Sequence, residues 1–134
     1  MNQNVSDIYN ISFVNEVRTW PKKGKEYVKI PYTNNYYLSE FLLAWKADDI
    51  ISFLLPEIEK VINNTNEELE TGTVLFTVIV DPVNTIFYPD AAGTDYPKIP
   101  TQDLKHVLIS WKDFLLQPPY DGQKVGRRFR FWPW

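Results

Sequence analysis

Apolar positions recur along this chain with two different periods, and the switches between those periods mark its elements. From Ile8 to Val17 the spacing is two, with Ile11 and Phe13 on one face, which predicts a strand. Trp20-Pro21 followed by Lys22, Lys23 and Gly24 reads as a turn, because proline fixes φ and glycine tolerates positive φ. Beyond it Tyr27, Lys29 and Pro31 alternate with Val28, Ile30 and Tyr32, predicting a second strand that ends at Pro31. Asn34-Asn35 reads as a further turn.

The stretch Tyr36–Trp45 fits both periods. Leu38, Phe41, Leu42 and Trp45 have helical spacing, whereas Tyr37, Ser39, Phe41, Leu43 and Trp45 would line one face of a strand. A strand is the expectation, since Asp48 and Asp49 then stand as caps at the start of a helix. That helix runs from Ala47 to about Asn63, with Ile51, Leu54, Leu55, Ile58, Val61 and Ile62 at three- and four-residue steps. Pro56 lies inside it. Its missing N–H and its clash with the carbonyl four residues back predict a kink or break. Asn63 to Gly72 reads as a polar connection. Thr73–Val80 is rich in β-branched and aromatic residues, and across the turn Asp81-Pro82-Val83-Asn84 it faces Thr85–Tyr88 as a hairpin partner. Pro89 to Lys98 is expected to be a loop. Thr101, as N-cap, opens a second helix in which Leu104, Val107, Leu108, Trp111, Phe114 and Leu115 form one stripe, and Pro118-Pro119 ends it. Residues 120–134 form an aromatic and basic segment. Its part Gln123–Trp132 reads as a last strand, with Val125, Arg127, Phe129 and Phe131 on one face, or as a docked arm. This order predicts an α+β fold, a mostly antiparallel sheet with two main helices packed on it.

Composition sharpens that picture. A chain of 134 residues suits a single domain, 1–134, and 44% hydrophobic with 23% charged residues is the balance of a folded chain. Aromatic residues reach 16%, enough that some rings are expected at the surface, where Tyr and Trp make good binding anchors. A net charge of −3 disfavours a general electrostatic grip on nucleic acid. The absence of cysteine excludes disulfides and thiolate metal sites. With no basic-then-apolar leader and no apolar run of spanning length, the expected setting is the cytoplasm, with no membrane partner.

Candidate chemistry is sparse. His106, the one histidine, sits mid-helix at the margin of the apolar stripe and reads as a surface or boundary residue. A metal site would need further imidazoles, and a triad would need a nucleophile and an orienting acid. No glycine-rich phosphate loop and no GxSxG motif is present. Asp48-Asp49 reads as capping rather than cation binding. The expectation is therefore no enzyme, no catalytic or metal residues and no cofactor. Glu57-x-Glu59 and Glu67-Glu68-x-Glu70 are acidic clusters that suit a solvated face or a surface meeting a basic protein. The segment GRRFRFWPW interleaves Arg127, Arg128 and Arg130 with Phe129, Phe131, Trp132 and Trp134. Burial of those rings is the expectation, and single-stranded nucleic-acid binding by that arm is the alternative function.

Residues 48–117, through FLLPEIEKVINN, TVLFTVIVDPVNTIFYPD and IPTQDLKHVLISWKDFLLQ, resemble the layout of small bacterial immunity proteins. Those proteins neutralise toxins of polymorphic or contact-dependent growth-inhibition systems. The resemblance ends on Trp111, Lys112, Asp113, Phe114 and Leu115. It implies a binding protein that occludes the active site or substrate surface of a cognate toxin domain, often a nuclease. For such an interface the expected partner-binding residues are Glu67, Glu68, Glu70, Asp90, Asp95, Tyr96 and Tyr120, all in predicted loops near the hairpin and helix ends.

Overall fold

The computed structural model describes residues 3–22, 24–64, 67–89 and 96–119. It is an α+β fold in which the strands form two antiparallel sheets rather than one. A short helix, α1 (Gln3–Ile8), precedes a two-stranded ribbon of β1 (Ser12–Trp20) and β2 (Gly24–Tyr32). The expected first strand therefore starts four residues late. Ile8 ends a helix, and Asn10 turns the chain at φ 50°, a conformation asparagine tolerates. Asn34 closes that turn, donating from its backbone N to Tyr9 O at 2.8 Å and from Nδ2 to Ile8 O at 2.9 Å.

Tyr36–Leu43 is a helix, α2, which corrects the strand expectation. Asn35 decides it: its side chain accepts from the Leu38 N–H at 3.1 Å, capping the first turn. Leu38, Phe41 and Leu42 are then buried at helical spacing, while Leu43, inward in the strand reading, is exposed.

From Ala47 to Asn63 the chain is continuously helical in three registers: α3 (Ala47–Asp49), a π turn (Ile50–Leu54) and α4 (Leu55–Asn63). The expected kink or break at Pro56 is absorbed without interruption. Pro56 cannot donate to the carbonyl four residues back, and the wider turn just before it, closed by Leu55 N–H on Ile50 O, relieves the steric conflict. Ile50, Leu54, Ile58 and Val61 stay on one buried stripe, with Ile51 and Phe53 left outside. Asp48 and Asp49 are not caps. Lys46 holds the cap position, and the two acids lie exposed in the first turn, where the helix dipole favours them.

The second sheet has the order β3-β4-β5-β6, from β3 (Leu69–Gly72), β4 (Phe76–Val80), β5 (Asn84–Pro89) and β6 (Lys98–Pro100). Its edge strands β3 and β6 correct the expected polar connection and loop. The last helix, α5 (Thr101–Leu115), has Pro100 at its N-cap position, so Thr101 is its first residue and not its N-cap. The Thr101 hydroxyl is committed elsewhere. It donates to Asp81 O at 2.7 Å and meets Thr85 Oγ1 at 3.0 Å, inside the core. Asp81 Oδ1 accepts from the backbone N of Val83 at 2.8 Å and of Asn84 at 2.6 Å, closing the β4–β5 turn.

The helices cover one face of this sheet, so more than two of them form the packed layer. Phe76, Val78, Val80, Phe87 and Ile99 point inward. The Phe41 and Tyr37 rings of α2 lie 6.4 and 6.1 Å from that of Phe87. Leu104, Val107, Leu108, Trp111 and Leu115 bury the stripe of α5, and the Trp111 indole N–H donates to Leu42 O at 3.0 Å. Lys105 of α5 pairs with Glu59 of α4.

Candidate functional site

Strand register puts the expected partner-binding residues in context. β3 pairs with β4, β4 with β5 and β5 with β6, so Glu70, Ile79, Ile86 and Lys98 stand directly opposite one another in one row across four strands. Their alternation is opposite to that of Val78, Phe87 and Ile99, so the row lies on the face the helices leave uncovered. In the next row Thr77 faces Tyr88, and the Tyr96 ring packs on Tyr88 with centroids 4.6 Å apart at 55°. This face has an apolar centre of two isoleucines, a tyrosine pair beside it, an acid at one edge and a lysine at the other.

Glu67 and Glu68 are exposed just before β3, and Glu70 is exposed within it. Asn64 Nδ2 donates to Glu67 Oε1 at 3.4 Å. The three acids therefore gather at one edge of the sheet, with Tyr96 beyond the opposite part of the same face. Charges on an edge strand also discourage it from pairing with another chain. Asp90, Asp95 and Tyr120 lie outside the described residues, as does the segment 120–134 with its Arg-aromatic arm. His106 is exposed on α5. Among the described residues no group of three or more His, Asp or Glu side chains could hold a metal ion. No helix there is long and apolar enough to cross a membrane.

A second surface is the ribbon. Its base packs inward: the Phe13 ring lies 5.0 Å from Trp111 and 5.8 Å from Phe114, and Lys29 Nζ bonds Asn15 Oδ1 at 2.7 Å and sits 4.2 Å from the Phe114 ring centroid. The opposite face carries Val14 paired with Ile30, Glu16 paired with Val28, and Arg18 paired with Glu26. The valines and Ile30 are half-buried yet stand outside the core cluster. Two exposed rings are held there by carboxylates. The Trp20 indole donates to Glu26 Oε2 at 2.7 Å, and the Tyr32 phenol donates to Glu16 Oε2 at 2.5 Å. That hydrogen bond holds the Tyr32 pKa above its ordinary value.

The sequence reading missed Ile79, Ile86, Tyr88 and Lys98, and the ribbon pairs as well. The alternation of Thr77 and Ile79 against Phe76, Val78 and Val80 was a usable signal, but both sets contain apolar residues. The ribbon pairs join positions on different strands, which no local pattern announces. Trp111 and Leu115, which close the resemblance to immunity proteins, are core residues, and Phe114 packs against Phe13. No protein-family model, curated protein or solved structure matches the chain.

Proposed function

We propose that this protein is an immunity-type inhibitor that binds a cognate toxin domain through the uncovered face of the β3–β6 sheet and occludes its active or substrate surface. The observation that carries the reading is the cross-strand row Glu70–Ile79–Ile86–Lys98 with the Tyr88–Tyr96 pair beside it. Stable interfaces combine an apolar, aromatic centre with a charged rim, and rings already packed lose little entropy on binding. Size adds a constraint. Four strands spaced by roughly 4.8 Å, each about five residues long at ~3.4 Å per residue, make a face on the order of 250 Å², well short of the ~800 Å² that each partner commonly buries. The partner must therefore also cover the acidic segment Glu67–Glu68 and the approach to β6 at Tyr96. Acids at that edge suit a nuclease, whose substrate groove is basic. The proposed setting is the cytoplasm of the toxin-producing cell.

The test is co-expression with the product of the adjacent gene. A one-to-one complex and restored growth are expected, and Glu70→Lys combined with Tyr96→Ala, both at exposed positions, weakens binding at least tenfold. A neighbour that is not a toxin, or a toxin bound equally well by that double variant, overturns the reading.

A further inference from the structure

A cleft of ≈ 280 Å³ opens between the ribbon, the α2–α3 connection and the last turns of α5. Its lining includes Arg18, Glu26, Lys29, Trp45, Lys46 and Leu115. Three cations thus stand against one carboxylate, on a chain whose net charge is −3. Lys29 is committed to Asn15 and the Phe114 ring, and Glu26 already accepts from Trp20. Arg18 and Lys46 are exposed and enter no ion pair among the described residues. Trp45 forms part of the cleft wall. Its ring is fixed by stacking on Phe53 at 6.1 Å and by an edge contact with Phe41 at 5.9 Å, and its indole N–H is buried with no hydrogen-bond partner among the described residues. That donor has no surface open to the cleft, so the ring is a fixed wall and a reporter of binding rather than a ligand.

We infer that this cleft is a second binding site, distinct from the β3–β6 face, for an acidic peptide segment whose carboxylates pair with Arg18 and Lys46 beside the fixed Trp45 ring. Glu26 favours a peptide over a nucleic-acid strand. A second Glu26 oxygen can accept a backbone N–H, a donor that a phosphodiester backbone lacks. Ring faces for base stacking are also scarce, because Trp45 is stacked already and Trp111 is buried.

The experiment is an NMR titration of the full ¹⁵N-labelled chain with an end-blocked hexaglutamate peptide. The Trp45 indole resonance is identified by its loss in Trp45→Phe. A saturable shift of that resonance is expected, with affinity at least tenfold weaker in Arg18→Ala/Lys46→Ala, whose dispersed spectrum reports an intact fold. Blocked hexalysine should leave the resonance in place. The inference is overturned by an unmoved indole signal, by equal affinity in the double variant, by saturation with inorganic phosphate at the same concentration, or by tighter binding of oligothymidylate. Toxin neutralisation by the double variant is a separate readout, so failure here leaves the function proposed above standing.

Discussion

The two sheets of this protein use similar side chains to opposite ends. In the four-stranded sheet Phe76, Val78, Val80 and Phe87 disappear under the helices, and alternate residues face outward. In the ribbon only the base is anchored, through Phe13, Lys29 and Pro31, while Trp20 and Tyr32 stay exposed and are held by Glu26 and Glu16. An aromatic residue in a strand is therefore no guide to burial by itself. What decides is whether a helix covers that face. Stability should reside in the sheet–helix layer, and the ribbon should tolerate change.

The sharpest way to break this contrast is to truncate one ring in each sheet. Phe87→Ala removes a fully buried ring that touches Phe41, Tyr37 and Phe76, and should cost about 3–5 kcal/mol by denaturant unfolding. Trp20→Ala should cost less than about 1 kcal/mol, because its ring is exposed and its hydrogen bond competes with water. Equal losses would mean that the ribbon is as much a part of the core as the sheet.

The junction between β5 and α5 comes next. Thr101→Val keeps the shape but leaves Asp81 O and Thr85 Oγ1 without their partner, so a loss of about 1–3 kcal/mol is expected. Thr101→Ser retains the hydroxyl and should recover most of it. If the valine variant is neutral, α5 is held to the hairpin by its apolar stripe alone.

The two hairpin glycines offer a matched pair. Gly72, at φ 158° next to the β3–β4 turn, has no room: an added Cβ would lie 2.4 Å from Phe76 O. Gly24, at φ 80° in the ribbon turn, meets nothing within 4 Å. Gly72→Ala should therefore cost about 1–3 kcal/mol and distort β3. Gly24→Ala carries only the backbone strain, about 1 kcal/mol. The reverse order in thermal melts would show that the ribbon turn, not the β3 edge, is the tightly built one.

Legibility in the sequence followed the same division. α5 and the β4–β5 hairpin were readable because one face is buried and the period is clean: Leu104, Val107, Leu108, Trp111 and Leu115 repeat at helical steps with polar residues between them. Tyr36–Leu43 was not, since apolar residues occur at both spacings and the arbiter is one Asn35 hydrogen bond. The π turn was invisible because Pro56 announces a conflict but not its resolution. β3 has a single apolar residue, Leu69, and exists only because β4 pairs with it. Of the candidate site, Glu67, Glu68, Glu70 and Tyr96 were named from loops and acids. Their gathering around Ile79, Ile86 and Tyr88 depends on register, which local patterning does not encode.

The smallest expected effect tests how the ribbon's root is tied down. Tyr9, just before β1, is buried and donates to Asp103 Oδ2 of α5 at 2.6 Å. Burial first, and Asp103 second, hold the phenol's pKa well above its ordinary 10.0. The unfolded chain ionises near that ordinary value, while the native phenol stays protonated to higher pH. Its contribution to stability is thus full below pH 10 and is lost as pH climbs from there toward the native value. Tyr9→Phe should cost about 1 kcal/mol at neutral pH, where the hydrogen bond is intact. It should also flatten the decline in stability above pH 10 in unfolding curves taken from pH 7 to 11. An alkaline limb unchanged by the substitution would assign the decline to other groups, and the Tyr9–Asp103 bond would then add nothing to stability beyond the burial of the Tyr9 ring.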